Sequence, residues 1–210
     1  MSDPVVSLGG PLFRHPGTSY QEFSTSWRRH AQIVTPWFLQ FGVTEYIQIH
    51  LPPNRSLHTP FSTMLSSSPS HISPEASAQA QKIMAQADGI AIVRYRPVSI
   101  SPGKTRDLMD GSSHPYFKDV IAADERRFLH TESGATAVAP KDGNWSFDVP
   151  ALEVDVWKEL AAGCRVVKAE ELVIIKDGKA EIEVEGLWWN LWHNLDREDV
   201  PVDVSQAEGK

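Results

Sequence analysis

The chain has 210 residues, of which 41% are hydrophobic and 22% charged, a balance that is typical of a globular protein and argues against global disorder. Its formal net charge of -7 disfavours nucleic acid or an anionic membrane as a partner. One cysteine cannot form an internal disulfide, and no apolar run reaches the roughly 18 residues of a membrane span, so we expect a cytoplasmic protein without a signal peptide.

The first half of the chain predicts a strand, a long helix and a second strand. Residues 5–13 are apolar and β-prone, and Thr18 with Gln21 has the spacing of a capping box, which predicts a helix over 19–41 that Pro36 could interrupt. His30 shares the face on which the large apolar residues of this helix recur. Alternation over 43–51 predicts a half-buried strand that carries a polar stripe on one face, made of Tyr46, Gln48 and His50.

The second half predicts a more elaborate arrangement. The pattern indicates a Ser- and Pro-rich loop over 55–73 that could act as a lid, helices over 74–87, 116–129 and 152–162, a strand over 90–96, a loop over 99–113 and a hairpin over 171–185. Three tryptophans cluster near the end, Trp188, Trp189 and Trp192. Residues 196–210 are acidic and poor in apolar side chains, which predicts a disordered tail after one domain over 1–195.

This order of elements predicts an α+β fold with a ferredoxin-like βαββαβ antiparallel sheet and helices on one face, elaborated by a loop insert and a C-terminal extension. A sheet with helices on one face leaves its other face in need of cover. Pairing with a second copy in a homodimer is one solution, and we expect it here.

Two blocks of sequence resemble EthD-type proteins. The first runs from Arg14-His15-Pro16-Gly17-Thr18 through Glu22-Phe23 to Trp27-Arg28-Arg29-His30-Ala31. The second comprises Asp88-Gly89-Ile90-Ala91, His114-Pro115-Tyr116, Asp124-Glu125 and Phe128. The blocks cover about residues 5–130, with a further strand at Leu172 to Ile175, and leave the Ser-rich insert and most of the C-terminal third unexplained.

The resemblance implies a dimeric α/β barrel. Fungal members look like cofactor-free lyases and cyclases of aromatic polyketide pathways, such as dehydratases and anthrone carboxylic acid decarboxylases. The resemblance therefore supports the fold better than the reaction, because one fold hosts many reactions.

His30 is the first candidate for catalysis. Imidazole titrates near neutral pH, so a histidine on the sheet-facing side of a helix can act as a general acid or base. The alternative is a core histidine bonded to a backbone carbonyl, and the residues alone favour that alternative. The resemblance shifts the balance toward a functional role.

The polar stripe of Tyr46, Gln48 and His50 suggests a pocket that hydrogen-bonds a polar ligand, although solvent or a dimer partner would explain it equally well. Tyr95 on the next strand could join this pocket and polarise a carbonyl group. Aromatic residues could form flat walls for a ring-bearing ligand, although core packing explains each of them singly: Phe23, Trp27, Trp37, Phe117 and Phe128. His193 beside the late tryptophans is an alternative acid or base.

Other chemistry finds little support in the sequence. Neither HExxH nor paired CxxC occurs, and phosphate-binding glycine loops and the GxSxG elbow are absent. The charged run Asp124-Glu125-Arg126-Arg127 is typical of a solvated helix face, and Cys164 of an ordinary thiol.

We therefore expect a cofactor-free enzyme that acts on a small aromatic or polyketide-like molecule by proton transfer. His30, Tyr46, His50 and Tyr95 are its expected catalytic residues, and Gln48 and the aromatic walls would bind the substrate. A lyase ranks first and a ring-closing isomerase or cyclase second. A non-catalytic binding protein for a hydrophobic intermediate and a cofactor-free monooxygenase remain open.

Overall fold

A computed structural model describes residues 4–53, 74–130, 154–162 and 169–184. Its strands are β1 (Val6–Leu12), β2 (Val43–His50), β3 (Gly89–Tyr95), β4 (Val98–Ser101), β5 (Lys104–Arg106), β6 (Glu170–Lys176) and β7 (Lys179–Ala180). Its helices are α1 (Tyr20–Gln40), α2 (Pro74–Gln86), α3 (Ala122–Phe128) and α4 (Val154–Ala162), with a 3-10 helix at Met109–Ser113 and a π-helix at Tyr116–Ile121. The late tryptophans, His193, Cys164, the 55–73 loop and the acidic tail lie outside the described residues.

The main sheet has five strands in the order β1-β3-β2-β6-β7, and every neighbouring pair is antiparallel. The predicted α+β fold with an antiparallel sheet is confirmed. Strands β2 and β3 lie at the centre, where Ile47 is opposite Ile92 and Ile49 opposite Ile90. Side chains alternate between the two sheet faces, so this register places four isoleucines on one face and the polar stripe of β2 on the other.

The chain returns to the free edge of β1 immediately after α3. An isolated bridge joins Arg14 to Leu129, the His15 N–H donates to the Phe128 carbonyl at 2.7 Å, and the His130 N–H donates to the Phe13 carbonyl at 2.9 Å. A fourth strand beside the first is the ferredoxin-like arrangement, and this short segment occupies that place. Strand β6, which contains the strand expected at Leu172 to Ile175, instead extends the sheet beside β2.

The N-cap of helix α1 lies one residue later than predicted. Ser19 is the N-cap: its hydroxyl accepts from the Glu22 N–H, and the Glu22 carboxylate accepts from the Ser19 N–H at 2.8 Å. The capping box is therefore Ser19 with Glu22, and the predicted Thr18 with Gln21 is wrong. The helix also continues through Pro36 to Gln40, with the Thr35 hydroxyl donating to the Ala31 carbonyl.

Helices cover both faces of the sheet. Helix α1 lies over the polar stripe, whereas α2 and α4 pack against the four isoleucines with an apolar surface formed by Ala80, Ile83, Met84, Val156, Trp157 and Leu160. The expectation of helices on one face only is wrong, because the insert and the extension each supply a helix that buries the second face. That face therefore does not need a second copy of the chain for cover, and the homodimer stays a prediction.

Two local predictions have different outcomes. The β6–β7 hairpin is present as predicted, and Asp177 and Gly178 at its turn both have positive φ, as a two-residue type I′ turn requires. The predicted loop over 99–113 is wrong, because β4 and β5 form a second hairpin there and a 3-10 helix follows. Gly103 supplies positive φ at that turn.

Gly89 offers a test of how tightly α1 is seated on the sheet. A Cβ at this position would lie 2.3 Å from the Trp27 ring and 3.2 Å from the Ile49 carbonyl oxygen. We expect Gly89→Ala to lower the free energy of unfolding by about 1–3 kcal/mol through overpacking, measured by urea denaturation. Gly17→Ala is the control, since its Cβ would meet only His15 at 3.5 Å, and an equal loss in both variants would contradict this account.

Candidate functional site

His30 lies inside the protein between α1, α3 and the sheet, with 3% of its surface exposed. Its Nδ1 is 2.9 Å from Asp124 Oδ2, and its Nε2 is 3.5 Å from Glu125 Oε1. The imidazole thus bridges two consecutive carboxylates on α3. This position agrees with the expected inward orientation, but the partners are side-chain carboxylates and not the backbone carbonyl of the alternative interpretation.

The charge on His30 follows from a competition between burial and these carboxylates. Burial disfavours the imidazolium, but the hydrogen bonds and charges of Asp124 and Glu125 outweigh it and raise the pKa of His30 to about 9. His30 therefore carries a positive charge at neutral pH. The site contains a buried ion pair, with the acids at the surface side and the cation inside.

A π-helical turn positions the two carboxylates. The Ala122 N–H donates to the Phe117 carbonyl, five residues back, so α3 begins with a register that an uninterrupted α-helix over 116–129 would not have. The Tyr116 hydroxyl donates to the Ile33 carbonyl at 2.9 Å and ties this turn to α1. The expectation of a solvated face for Asp124-Glu125 is wrong for this reason, because the inserted turn rotates both acids toward His30.

The polar stripe of β2 forms a buried hydrogen-bond chain under α1. Ser24 Oγ is 2.9 Å from His50 Nδ1, and His50 Nε2 is 3.3 Å from Gln48 Oε1. Gln48 Nε2 donates to the Trp27 carbonyl at 2.8 Å and to the Tyr46 hydroxyl at 2.9 Å. The polar groups of the stripe therefore have hydrogen-bond partners in one another and in α1, and all three side chains are buried.

His50 and Tyr46 are neutral within this chain. Burial and the nearby Arg28 charge lower the pKa of His50 to about 4, despite the opposing charge of Glu170. Burial raises the pKa of Tyr46 above its ordinary value, and the charge of Glu125 adds to this rise. Because both side chains are neutral, buried and hydrogen-bonded beneath α1, this arrangement favours a structural role over proton transfer to a ligand.

The expected aromatic walls divide into two groups. Phe23, Trp27 and Phe128 surround the two histidines: the Trp27 ring centroid is 4.5 Å from that of His50, and the Phe128 centroid is 5.4 Å from that of His30. Trp37 and Phe117 belong to a separate apolar cluster at the far end of α1, with ring centroids 6.3 Å apart. Only the first group can contribute to a site at His30.

Tyr95 also belongs to the far end. Its hydroxyl donates to Asp107 Oδ1 at 2.8 Å, and its ring lies in the cluster that contains Trp37. Burial and the Asp107 carboxylate raise its pKa to about 12. Among the described residues no contact joins Tyr95 to His30 or His50, so the structure does not bring the four expected catalytic residues together.

A partly open cleft of about 330 Å³ lies outside the His30 ion pair, between the start of α1 and α3. Its lining contains Gly17, Thr18, Glu22, Ser26, Arg29, Asp124, Arg127 and Phe128. Asp124 is thus the member of the ion pair that faces the cleft, and His30 lies behind it. Sequence reasoning missed Asp124, Ser26, Arg29 and Arg127, although the i, i+3 spacing of Ser26 and Arg29 on α1 would have put them on one face.

Comparison with known protein families shows that residues 15–132, more than half of the chain, match the family described as the EthD domain. This protein belongs to the EthD family. The EthD match contains α1, both carboxylates of α3 and every residue of the cleft, whereas α4, β6 and β7 lie beyond it. We found no match to the chain among curated proteins or among solved structures.

Two further observations concern the part of this EthD protein that the structure describes. Within those ranges no group of three or more His, Cys, Asp or Glu side chains could hold a metal ion. None of the helices there is long and apolar enough to cross a membrane.

The two buried histidines predict opposite pH dependences of stability. The pKa of His30 is raised from 6.5 to about 9, so its contribution is complete below pH 6.5 and is lost as the pH rises through 9. The pKa of His50 is lowered from 6.5 to about 4, so stability is lost as the pH falls from 6.5 toward 4. Each shift corresponds to roughly 3 kcal/mol.

We expect imidazole NMR signals to show His30 charged at pH 8 and His50 neutral at pH 5.5. Urea denaturation should give a maximum of stability near pH 6.5, with the alkaline fall reduced in His30→Gln and the acid fall reduced in His50→Gln. If both histidines titrated near 6.5, the assigned charges would be wrong.

Proposed function

We propose that this EthD protein is a cofactor-independent lyase whose proton-transfer unit is the His30–Asp124 pair. The observation that carries the proposal is the position of Asp124: one oxygen is held by His30 at 2.9 Å, and the side chain lines a cleft large enough for a small ring-bearing molecule. The substrate class proposed is an aromatic or polyketide-like molecule with a carbonyl group and a β-hydroxyl group.

The proposed roles of Asp124 and His30 differ because only Asp124 lines the cleft. Asp124 is the general base, and Oδ1 is its working oxygen because Oδ2 is occupied by His30. His30 is a positioning residue, since its charge orients the carboxylate and it touches no cleft ligand directly. This division differs from the expectation that His30 itself exchanges protons with the substrate.

The proposed dehydration balances without a cofactor. Asp124 Oδ1 takes a proton from the carbon beside the carbonyl, and the electron pair of that C–H bond moves into an enolate. The enolate re-forms the carbonyl as the β C–O bond breaks. Attraction between the carboxylate and the His30 imidazolium favours release of the proton to the departing hydroxyl, so water leaves and the enone remains.

Phe128 supports this chemistry by its position. Its ring lines the cleft, lies 5.4 Å from the His30 ring between centroids, and is almost fully buried. An apolar wall excludes water from one side of the ion pair, which strengthens the interaction between the two charges. The same wall offers a flat surface to a ring-bearing substrate.

The test uses 3-hydroxy-1-tetralone, which becomes 1-naphthol when it loses water, and deuterium incorporation beside the carbonyl of 1-tetralone as a direct measure of proton abstraction. We expect Asp124→Asn to lower both rates about 100-fold or more, because the base is lost. His30→Gln should lower them about 10-fold and abolish the fall in rate that the parent shows above pH 9. Urea denaturation checks that each variant is folded.

Asp119→Asn is the matched control, because Asp119 is an exposed acid on the π-helix that does not line the cleft. Its rates should equal those of the parent. A folded Asp124→Asn variant with parental deuterium exchange would exclude Asp124 as the base. Exchange without formation of 1-naphthol would instead favour the isomerase or cyclase alternative, which shares the enolate.

A further inference from the structure

The charged residues around the cleft fall into two groups that differ in their partners. The two acids are already engaged within the protein. Glu22 accepts hydrogen bonds from the Ser19 N–H at 2.8 Å and the Ser19 hydroxyl at 2.6 Å, and these bonds lower its pKa below the ordinary value. Asp124 is engaged by the buried His30 cation at 2.9 Å.

The two arginines are engaged weakly or not at all. Arg127 Nη1 is 3.9 Å from Asp124 Oδ1, and 70% of the Arg127 side chain is exposed. Arg29 is exposed, and in the described part of the chain no carboxylate pairs with it. The lining therefore contains two arginines and two acids, and because both acids already have partners, the two guanidinium groups are the charged groups that remain for a ligand.

We propose that the cleft binds ring-bearing organic anions, with Arg29 and Arg127 holding the anionic group. Guanidinium groups suit carboxylates because their N–H donors match the two oxygens. The hydroxyls of Thr18 and Ser26 line the same cleft and can donate to the anion, while Phe128 contacts the ring. This inference rests on the proposed function for the choice of site and adds the charge of the substrate.

The arrangement also orients the ligand. An anionic group held by Arg127 lies beside Asp124, because the two side chains are neighbours on α3 and approach to 3.9 Å. A carboxylate on the ring would therefore fix which ring carbon meets the base. Without it, a neutral ring has only Phe128 and the hydroxyls to contact.

The test compares 2-naphthoate with 2-naphthamide, which have nearly the same shape and differ in charge. We expect isothermal titration calorimetry at low salt to show that naphthoate binds about tenfold more tightly. Arg29→Gln and Arg127→Gln should each reduce this preference about threefold, and added salt should reduce it in the parent. Arg126→Gln is the matched control, an exposed arginine on α3 outside the cleft that should leave the preference unchanged.

The binding measurements separate this inference from the proposed lyase activity. Asp124→Asn removes a negative charge from the cleft, so it should bind naphthoate at least as tightly as the parent while it loses turnover. Equal binding of naphthoate and naphthamide, or a preference that survives the double replacement of Arg29 and Arg127, would overturn the inference. An equal loss in Arg126→Gln would show only a general charge effect and would overturn it as well.

Discussion

A positive charge on His30, enclosed between α1 and α3, links the fold of this protein to its candidate site. A buried ion costs free energy unless charged or hydrogen-bonding partners surround it, and here two consecutive carboxylates do so. Loss of either helix would leave uncompensated charge in the interior. The ion pair therefore fixes how α3 sits on α1, and the cleft lies beside the pair between these two helices.

The helices on the second sheet face change where a ligand could bind. In a ferredoxin-like sheet that pairs with another copy, the face without helices is the natural interior. Here α2 and α4 fill that side with apolar side chains packed against Ile47 and Ile90. Most of the buried polar side chains in the described part of the chain lie instead on or under α1, on the side of the sheet where the α1–α3 cleft is found: Ser24, His30, Thr35, Gln48 and His50.

Local patterns predicted the central strands, α1 and the inward face of His30, because alternation and helical spacing depend only on neighbouring residues. The capping box was displaced by one residue because Thr18 and Ser19 both precede a suitable partner at the right spacing. The π-turn misled the interpretation of Asp124, since one extra residue per turn rotates every later side chain. The covering of the second face and the pairing of β6 with β2 depend on contacts between distant segments, which no local pattern contains.

His30 and His50 illustrate how environment decides what one residue type does. Both are buried, yet the carboxylates of α3 hold His30 charged, whereas His50 bonds to the neutral Ser24 and Gln48. The charge of Glu170 does not outweigh burial and the charge of Arg28, so His50 stays neutral. The neutral histidine can satisfy its hydrogen bonds without a counter-ion and so serves the packing of α1 on the sheet. The charged one needs acids, and an acid that it holds at the surface is also available to a ligand. In the proposed function, the interaction that holds the two helices together is therefore also the one that orients Asp124 as the base.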